Sequence, residues 1–245
     1  MRINKKKFIY LISPNKIKES FYGDLRKIFK LKKISFFQLR LKNVSFKRKL
    51  IIGKKIKKIC QKYKIKFLIN DDVILAKKLN SDGCHLGQKD MEILKARKII
   101  KKKIIGITCH NSIKLAKLAI QKKADYLAFG AFDISKTKKT KFKANLSLLK
   151  KIKKITKTPI VAIGGINSDN YKKLLLNKAN FLAISGYIWN NKNYKPLEAI
   201  KKLDAALIDQ LKLFSLVASR WIARGLMVDK NQNEDSNSVE NGLTR

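Results

Sequence analysis

Cysteine and long apolar runs are both scarce in this sequence. The three cysteines, Cys60, Cys84 and Cys109, form no Cys-x-x-Cys pair, which argues against a disulfide framework and a structural zinc site and favours a reducing compartment. The five apolar residues of Phe8 to Ile12 are too few for a signal-peptide core or a membrane span. We therefore expect a cytoplasmic protein with no membrane partner.

Acidic residues are also few. The chain has 17 of them against 58 lysines and arginines, a formal net charge of +41, which would attract nucleic acid, anionic lipid or acidic substrates. The lysines are spread through nearly every predicted helix, whereas a nucleic-acid track would place them along one stripe with interleaved aromatics. A solvated lysine-rich surface is the simpler interpretation. We expect no specific nucleic-acid partner, although the charge favours phosphorylated small molecules.

Histidine occurs only at His85 and His110. No convincing Ser-His-Asp or Cys-His set for nucleophilic catalysis is evident, and no ligand-spaced His or Cys accompanies either residue. We interpret His85 as a packed strand residue and His110 as part of a loop.

The sequence does contain a regular alternation of short apolar runs and segments with helical spacing. Strands followed by helices eight times over predict an α/β fold, a closed (β/α)8 barrel of the TIM type, and the count of eight favours it over a doubly wound open sheet. The predicted strands are Phe8 to Ile12, Ile34 to Leu39, Lys66 to Ile69, Gly83 to Leu86, Ile104 to Thr108, Tyr126 to Phe129, Ile160 to Ile163 and Phe181 to Ser185.

The chain is predicted to divide at residue 203. Residues 1–203 carry the barrel and the excess of positive charge, whereas 204–245 contain five basic and six acidic residues. Within this extension, Ala205 to Met227 favours a helix, and its four charged residues make a membrane span improbable. Asp229 to Arg245, rich in Asn, Ser and Glu, is typical of disorder.

Two carboxylates stand just beyond two successive predicted strands. Asp71 follows Phe67 to Ile69, and Asp90 follows Cys84 to Leu86. Barrel enzymes carry their chemistry at the carboxyl ends of the strands, so both are candidate Mg²⁺ ligands. An alternative is that Asp71 and the adjacent Asp72 cap the following helix.

A third element alternates polar and apolar residues. Gln38, Arg40 and Lys42 would share one face of their strand and point into the barrel mouth, where two cations are costly unless an anion meets them. The alternative is a strand end that runs out into solvent.

These segments resemble the thiamine phosphate synthase family. The resemblance covers roughly residues 8 to 190 and is carried by Ile69–Asp72, Asp82–Asp90, Gly106–His110, Tyr126–Lys138 and Pro159–Ile166. It implies a cytoplasmic, Mg²⁺-dependent enzyme that couples hydroxymethylpyrimidine diphosphate to hydroxyethylthiazole phosphate and releases diphosphate. A homo-oligomer stays open at this point.

The resemblance also assigns roles to individual residues. It implies that Asp71 and Asp90 hold Mg²⁺ and that Arg40, Lys42 and Lys138 act on the leaving group. Substrate-binding roles are implied for Gln38, Arg40, Lys42, Asn70, Thr108, Ser135, Thr137, Lys138, Gly164, Gly165, Ile184 and Ser185.

Some residues depart from the family pattern. Leu41 stands in place of the usual Glu between Arg40 and Lys42, Asp133 and Ile134 replace Phe-Pro, and Ser135 replaces a Thr. These departures keep an inactive barrel paralogue as an alternative. A thiazole tautomerase-like barrel and, from a different class, a basic nucleic-acid-binding protein are also kept.

Overall fold

Eight parallel strands close into a barrel in chain order. The computed structural model describes residues 8–133 and 142–203. Each strand pairs with the next, and β8 pairs back with β1, which confirms the predicted barrel over the open sheet. The strands are β1 (Ile9–Ile12), β2 (Ile34–Leu39), β3 (Lys66–Asn70), β4 (Gly83–Leu86), β5 (Ile104–His110), β6 (Tyr126–Phe129), β7 (Ile160–Ile163) and β8 (Phe181–Ile184).

Helices follow the strands and cover the outside of the barrel. They are α1 (Ser20–Lys30), α2 (Phe46–Lys62), α3 (Val73–Lys78), α4 (Ile93–Ile100), α5 (Ile113–Gln121), α6 (Leu146–Ile155), α7 (Tyr171–Leu176) and α8 (Gly186–Trp189). Short polar side chains begin several of them: Ser45, Asp72, Ser112 and Asn145 each accept a hydrogen bond from the backbone N–H three residues later. Such caps satisfy N–H groups that have no partner within the helix.

Aromatic and aliphatic side chains fill the barrel interior. Tyr10, Phe36 and Tyr126 pack there with residues from β3, β7 and β8, including Leu68, Val161 and Phe181. Because side chains alternate across a strand, Gln38 on β2 and Asn70 on β3 also face inward, two positions after Phe36 and Leu68. Thr108 on β5 does the same, four positions after Ile104. The interior is a packed core, and its carboxyl end forms the floor of the site described below.

Strand pairs are fastened at the amino-terminal end of the barrel by the residues that precede β4, β6 and β8. Each of these residues donates its backbone N–H to a carbonyl of the preceding strand and accepts that residue's N–H on its side-chain oxygen. We call these double contacts the strand clamps; they join Asp82 to Phe67, Asp125 to Ile105 and Asn180 to Ile160, at 2.8 to 2.9 Å.

Gly106 on β5 lies directly under the ring of Tyr126. A Cβ at this position would lie 1.8 Å from Tyr126 Cζ, so we expect Gly106→Ala to displace a buried ring and lower the free energy of unfolding by about 1–3 kcal/mol or more. Urea denaturation measures the change. Gly23→Ala is the control, because nothing lies within 4 Å of its added carbon and alanine favours the helix by about 0.5–1 kcal/mol. Equal effects at the two glycines would contradict the packing argument.

The helix and tail predicted for 204–245 lie outside the described residues. Cys60, Cys84 and Cys109 are buried free thiols. No helix within 8–133 and 142–203 is both long and apolar enough to cross a membrane.

Candidate active site

Two carboxylates and two cations meet at the carboxyl end of the barrel. Asp71 follows β3 directly and adopts a positive φ of 63°, with its N–H bonded to the carbonyl of His85 at 2.8 Å. This hydrogen bond fixes the backbone of Asp71 against β4, and Asp90 lies in the loop that follows β4. Burial and the carboxyl of Asp90 raise the pKa of Asp71 to about 6, while Lys42 and Arg40 act in the opposite direction. The predicted pair of carboxylates is therefore assembled.

Asp72 is the helix cap, and Asp71 is not. The carboxylate of Asp72 accepts the N–H of Leu75 at 2.8 Å at the start of α3. Asp90 is fixed differently, because its Oδ2 accepts the N–H of Gly87 at 2.6 Å. The capping alternative thus holds for Asp72 alone, and Asp71 is left to face the rim.

Arg40 is held in place by the loop after β1. Its guanidinium donates to Asn15 Oδ1 at 3.1 Å, and its backbone N–H donates to Ser13 Oγ at 2.9 Å. Burial lowers the pKa of Arg40, and Asp71 opposes that shift. A half-buried cation that is held by one side-chain hydrogen bond, on a backbone that is itself hydrogen-bonded, is preorganised to meet an anion. The roles of Ser13 and Asn15 were not predicted, because no motif in the sequence marks them.

The three polar residues of the β2 element differ in burial. Gln38 is only 2 % exposed, Arg40 is half-buried and Lys42 is exposed. Gln38 faces into the barrel, because it lies two residues after Phe36 of the core cluster. Arg40 and Lys42 both lie beyond the end of β2 and act on the site through their charges near Asp71. Leu41, which stands between the two cations, is buried.

Asn70 and Thr108 end the inward rows of β3 and β5. Asn70 is paired in register with His85 on β4, and His85 Nε2 lies 2.8 Å from Thr108 Oγ1. His85 is a packed strand residue, as predicted, but both of its ring nitrogens have side-chain partners. His110 differs from its prediction: it ends β5, has a φ of 53° and stacks on Phe142 at 4.1 Å.

The loops after β7 and β8 lie on the same rim. Gly164 and Gly165 both have φ in the left-handed region, at 93° and 68°, which glycine adopts without strain. Ile184 ends β8, and Ser185 Oγ donates to the carbonyl of Ser13 at 3.2 Å. A cavity of about 460 Å³ opens between Ser185 and Arg40, with Trp189 in its wall.

The predicted phosphate loop is described only at its start. Ser135, Thr137 and Lys138 lie outside the described residues, as does Ile134. Asp133, which replaces a neutral residue of the family pattern, accepts a hydrogen bond from Asn170 Nδ2 at 3.3 Å. Its backbone N–H bonds to the carbonyl of Gly164, so the start of this loop is joined to the loop after β7.

Comparison with known proteins gives a consistent result. A family model for thiamine monophosphate synthase matches residues 9–188. Thiamine-phosphate synthase of Pelagibacter ubique is 72 % identical over 206 residues, covering 83 % of this chain and all of that protein. The enzyme of Erythrobacter litoralis is 35 % identical, covering 81 % of this chain and 95 % of its own.

A solved structure agrees with the sequence comparisons. Thiamine phosphate pyrophosphorylase from Pyrococcus furiosus superposes with a TM-score of 0.73 and 29 % identity, covering 84 % of this chain and 97 % of that one. The family match spans all eight strands from β1 to β8 and includes each carboxylate and cation described above. This chain belongs to the thiamine monophosphate synthase family.

Proposed function

We propose that this chain joins hydroxymethylpyrimidine diphosphate to hydroxyethylthiazole phosphate and thereby forms thiamine phosphate and diphosphate. Family membership supports the reaction. The observation that carries the proposal is the convergence of Asp71, Asp90 and the fixed Arg40 at the carboxyl rim. Carboxylates facing a cation at this end of a barrel suit a substrate that carries a diphosphate and a bound metal.

The reaction requires a leaving group to be stabilised. The C–O bond between the pyrimidine methylene and diphosphate breaks, and both electrons leave with the diphosphate oxygen. The lone pair of the thiazole nitrogen then forms the new C–N bond. Arg40, Lys42 and Lys138 are proposed to balance the charge of the departing diphosphate, and no side-chain nucleophile is needed.

The remaining predicted residues are assigned to the two substrates. Gln38 and Asn70 face inward near the base of the site and are proposed to hold the pyrimidine. Thr108, Ser135 and Thr137 supply hydroxyl donors to the diphosphate. Gly164, Gly165, Ile184 and Ser185 are proposed to hold the phosphate of the thiazole through backbone and hydroxyl groups on the loops after β7 and β8.

The donor set at the rim fits Mg²⁺. Asp90 lies close enough to Asp71 to disfavour the ionised form of Asp71, a repulsion that a divalent cation would relieve. The described residues form no cluster of three or more candidate metal ligands, and Mg²⁺ is commonly held by one or two carboxylates with substrate phosphates and water completing its shell. When bound, the ion would neutralise charge that develops on the leaving diphosphate.

A direct assay tests the proposal. The full chain is incubated with both substrates in the presence of Mg²⁺ or of a chelator, and products are separated by chromatography. We expect thiamine phosphate and diphosphate in equal amounts only with Mg²⁺. Product formed equally well with chelator would overturn the metal assignment, and no product under either condition would overturn the function.

Two wider expectations belong to the same proposal. The three buried free thiols suit a reducing cytoplasm. We also propose that residues 1–203 form the catalytic unit and that the extension 204–245 is dispensable for turnover. The oligomeric state of the protein is measured by analytical ultracentrifugation.

A further inference from the structure

A line of hydrogen bonds crosses the barrel from its core to the catalytic rim. The hydroxyls of Tyr10 and Tyr126 lie 2.8 Å apart, Tyr126 Oη lies 2.8 Å from His85 Nδ1, and His85 Nε2 lies 2.8 Å from Thr108 Oγ1. Tyr10 and Tyr126 are each 1 % exposed and His85 is 7 % exposed. We call these four side chains the hydroxyl–imidazole chain.

The buried end of the hydroxyl–imidazole chain determines which atom donates and which accepts in each of its hydrogen bonds. Within residues 8–133 and 142–203, the hydroxyl of Tyr10 has a hydrogen-bond partner only in Tyr126. If the protons pointed toward Tyr10, its own O–H would be buried in an apolar cluster without an acceptor, which costs the full desolvation penalty of that group. If they point toward Thr108, the two tyrosine hydroxyls and the imidazole N–H each have an acceptor.

Both tyrosines stay protonated and can serve as donors. Burial is the largest cause that raises the pKa of Tyr10 and of Tyr126 well above the usual value of a phenol. With Tyr126 donating to Nδ1, the proton of a neutral imidazole lies on Nε2, which then donates to Thr108 Oγ1. The hydroxyl proton of Thr108 is left to point elsewhere.

We propose that the hydroxyl–imidazole chain holds His85 as the Nε2–H tautomer and so makes Thr108 a hydrogen-bond donor aimed at an anionic oxygen on the rim. His85 is thus a positioning residue that acts through Thr108. The identity of that anion, a phosphate oxygen of the leaving diphosphate, rests on the function proposed above. The tautomer itself does not depend on that function.

Neighbouring contacts hold the hydroxyl–imidazole chain in place. The ring of His85 stacks on that of Tyr126 at 5.7 Å with an interplanar angle of 13°, and Gly106 leaves room for the Tyr126 ring. Gln88, three residues after His85, donates to the backbone carbonyl of Thr108. Thr108 is therefore held at its side chain and at its backbone by the segment that begins in β4.

The first test measures the tautomer without any substrate. The protein has two histidines, so the ¹⁵N signals of His85 in the full protein are assigned by comparison with a His110→Gln variant. We expect protonated Nε2 and unprotonated Nδ1 at His85. Tyr126→Phe should mix the tautomers, whereas Tyr10→Phe, the matched loss of a buried hydroxyl, should preserve them because Tyr126 then becomes the buried end. Protonated Nδ1 in the wild-type protein would overturn the proposal.

The second test asks whether His85 acts through Thr108. We expect His85→Leu to lower kcat on the order of 10- to 100-fold, as for other residues that orient a contacting group, with little change in KM. His85→Gln places an amide donor near the position of Nε2 and should recover part of the loss. In a Thr108→Val background, His85→Leu should add little.

The positioning role of His85 and the proposed function are overturned by different results. Additive effects of His85→Leu and Thr108→Val, in a wild-type chain that makes thiamine phosphate, would overturn the positioning role alone. A wild-type chain that makes no thiamine phosphate would overturn the proposed function, and the nitrogen spectra would still decide the tautomer.

Discussion

Asp71→Asn should strongly reduce Mg²⁺-dependent turnover and, in the absence of metal, make the fold more stable. The amide matches the carboxylate in size and tolerates the positive φ of this position, so the backbone is preserved. It removes the negative charge proposed to hold the ion. We expect kcat to fall by at least about 100-fold, in the range seen when a stabilising charge is lost from an active site.

The gain in stability follows from the direction of the pKa shift. Burial and Asp90 raise the pKa of Asp71 to about 6 in the folded chain, so folding disfavours its ionised form. The resulting loss of stability is absent at a pH below the ordinary carboxyl value and grows as the pH rises through about 6. Without Mg²⁺, Asp71→Asn should therefore raise the melting temperature at pH 7 and change it little near pH 3.5.

Asp72→Ala is the matched control at the adjacent residue. Asp72 caps α3 through the N–H of Leu75, so its removal should cost about 1 kcal/mol of stability and leave turnover and Mg²⁺ dependence close to those of the wild-type chain. The assignment of Asp71 would be wrong if the two variants lost activity equally, or if Asp71→Asn kept its response to Mg²⁺.

Arg40→Gln should also cause a large loss of turnover. The guanidinium is half-buried and fixed by Asn15 at 3.1 Å, so its charge is available to an incoming diphosphate without rearrangement. Glutamine removes the charge while keeping a polar side chain of moderate size. We expect kcat to fall on the order of 10²- to 10³-fold, measured by the release of diphosphate.

Arg97→Gln is the control for Arg40, because Arg97 is also a fixed arginine but lies near the strand clamps. It pairs with Asp125 at 2.7 Å and donates to the carbonyl of Lys103. Its loss should lower stability and leave kcat within a few-fold of the wild-type value. If Arg97→Gln reduced turnover as much as Arg40→Gln, a general loss of structure would explain both.

The positions of the strands were predictable because their signal is local. Each predicted strand boundary falls within two residues of the observed one, since a buried parallel strand is a short apolar run between polar segments. The meeting of Asp71 and Asp90 followed from the same rule, because residues that follow successive strands of a barrel share one rim. Nothing further about their chemistry was needed to predict it.

Long-range partners were not predictable from the pattern. The contact between Tyr10 and Tyr126 joins residues 116 positions apart, and neither tyrosine differs in the sequence from an ordinary core residue. His85 was therefore interpreted as packing alone. His110 was assigned to a loop because it follows the apolar run of β5, but its stacking on Phe142 comes from a distant segment.

The strand clamps use residues that take no part in the proposed chemistry. Asp82, Asp125 and Asn180 hold neighbouring strands together at one end of the barrel, and the proposed catalytic groups occupy the other. Mutations at the catalytic end can therefore change which substrates bind while the contacts that join the strands at the opposite end stay in place. Substrate choice can diverge on this barrel without loss of the fold.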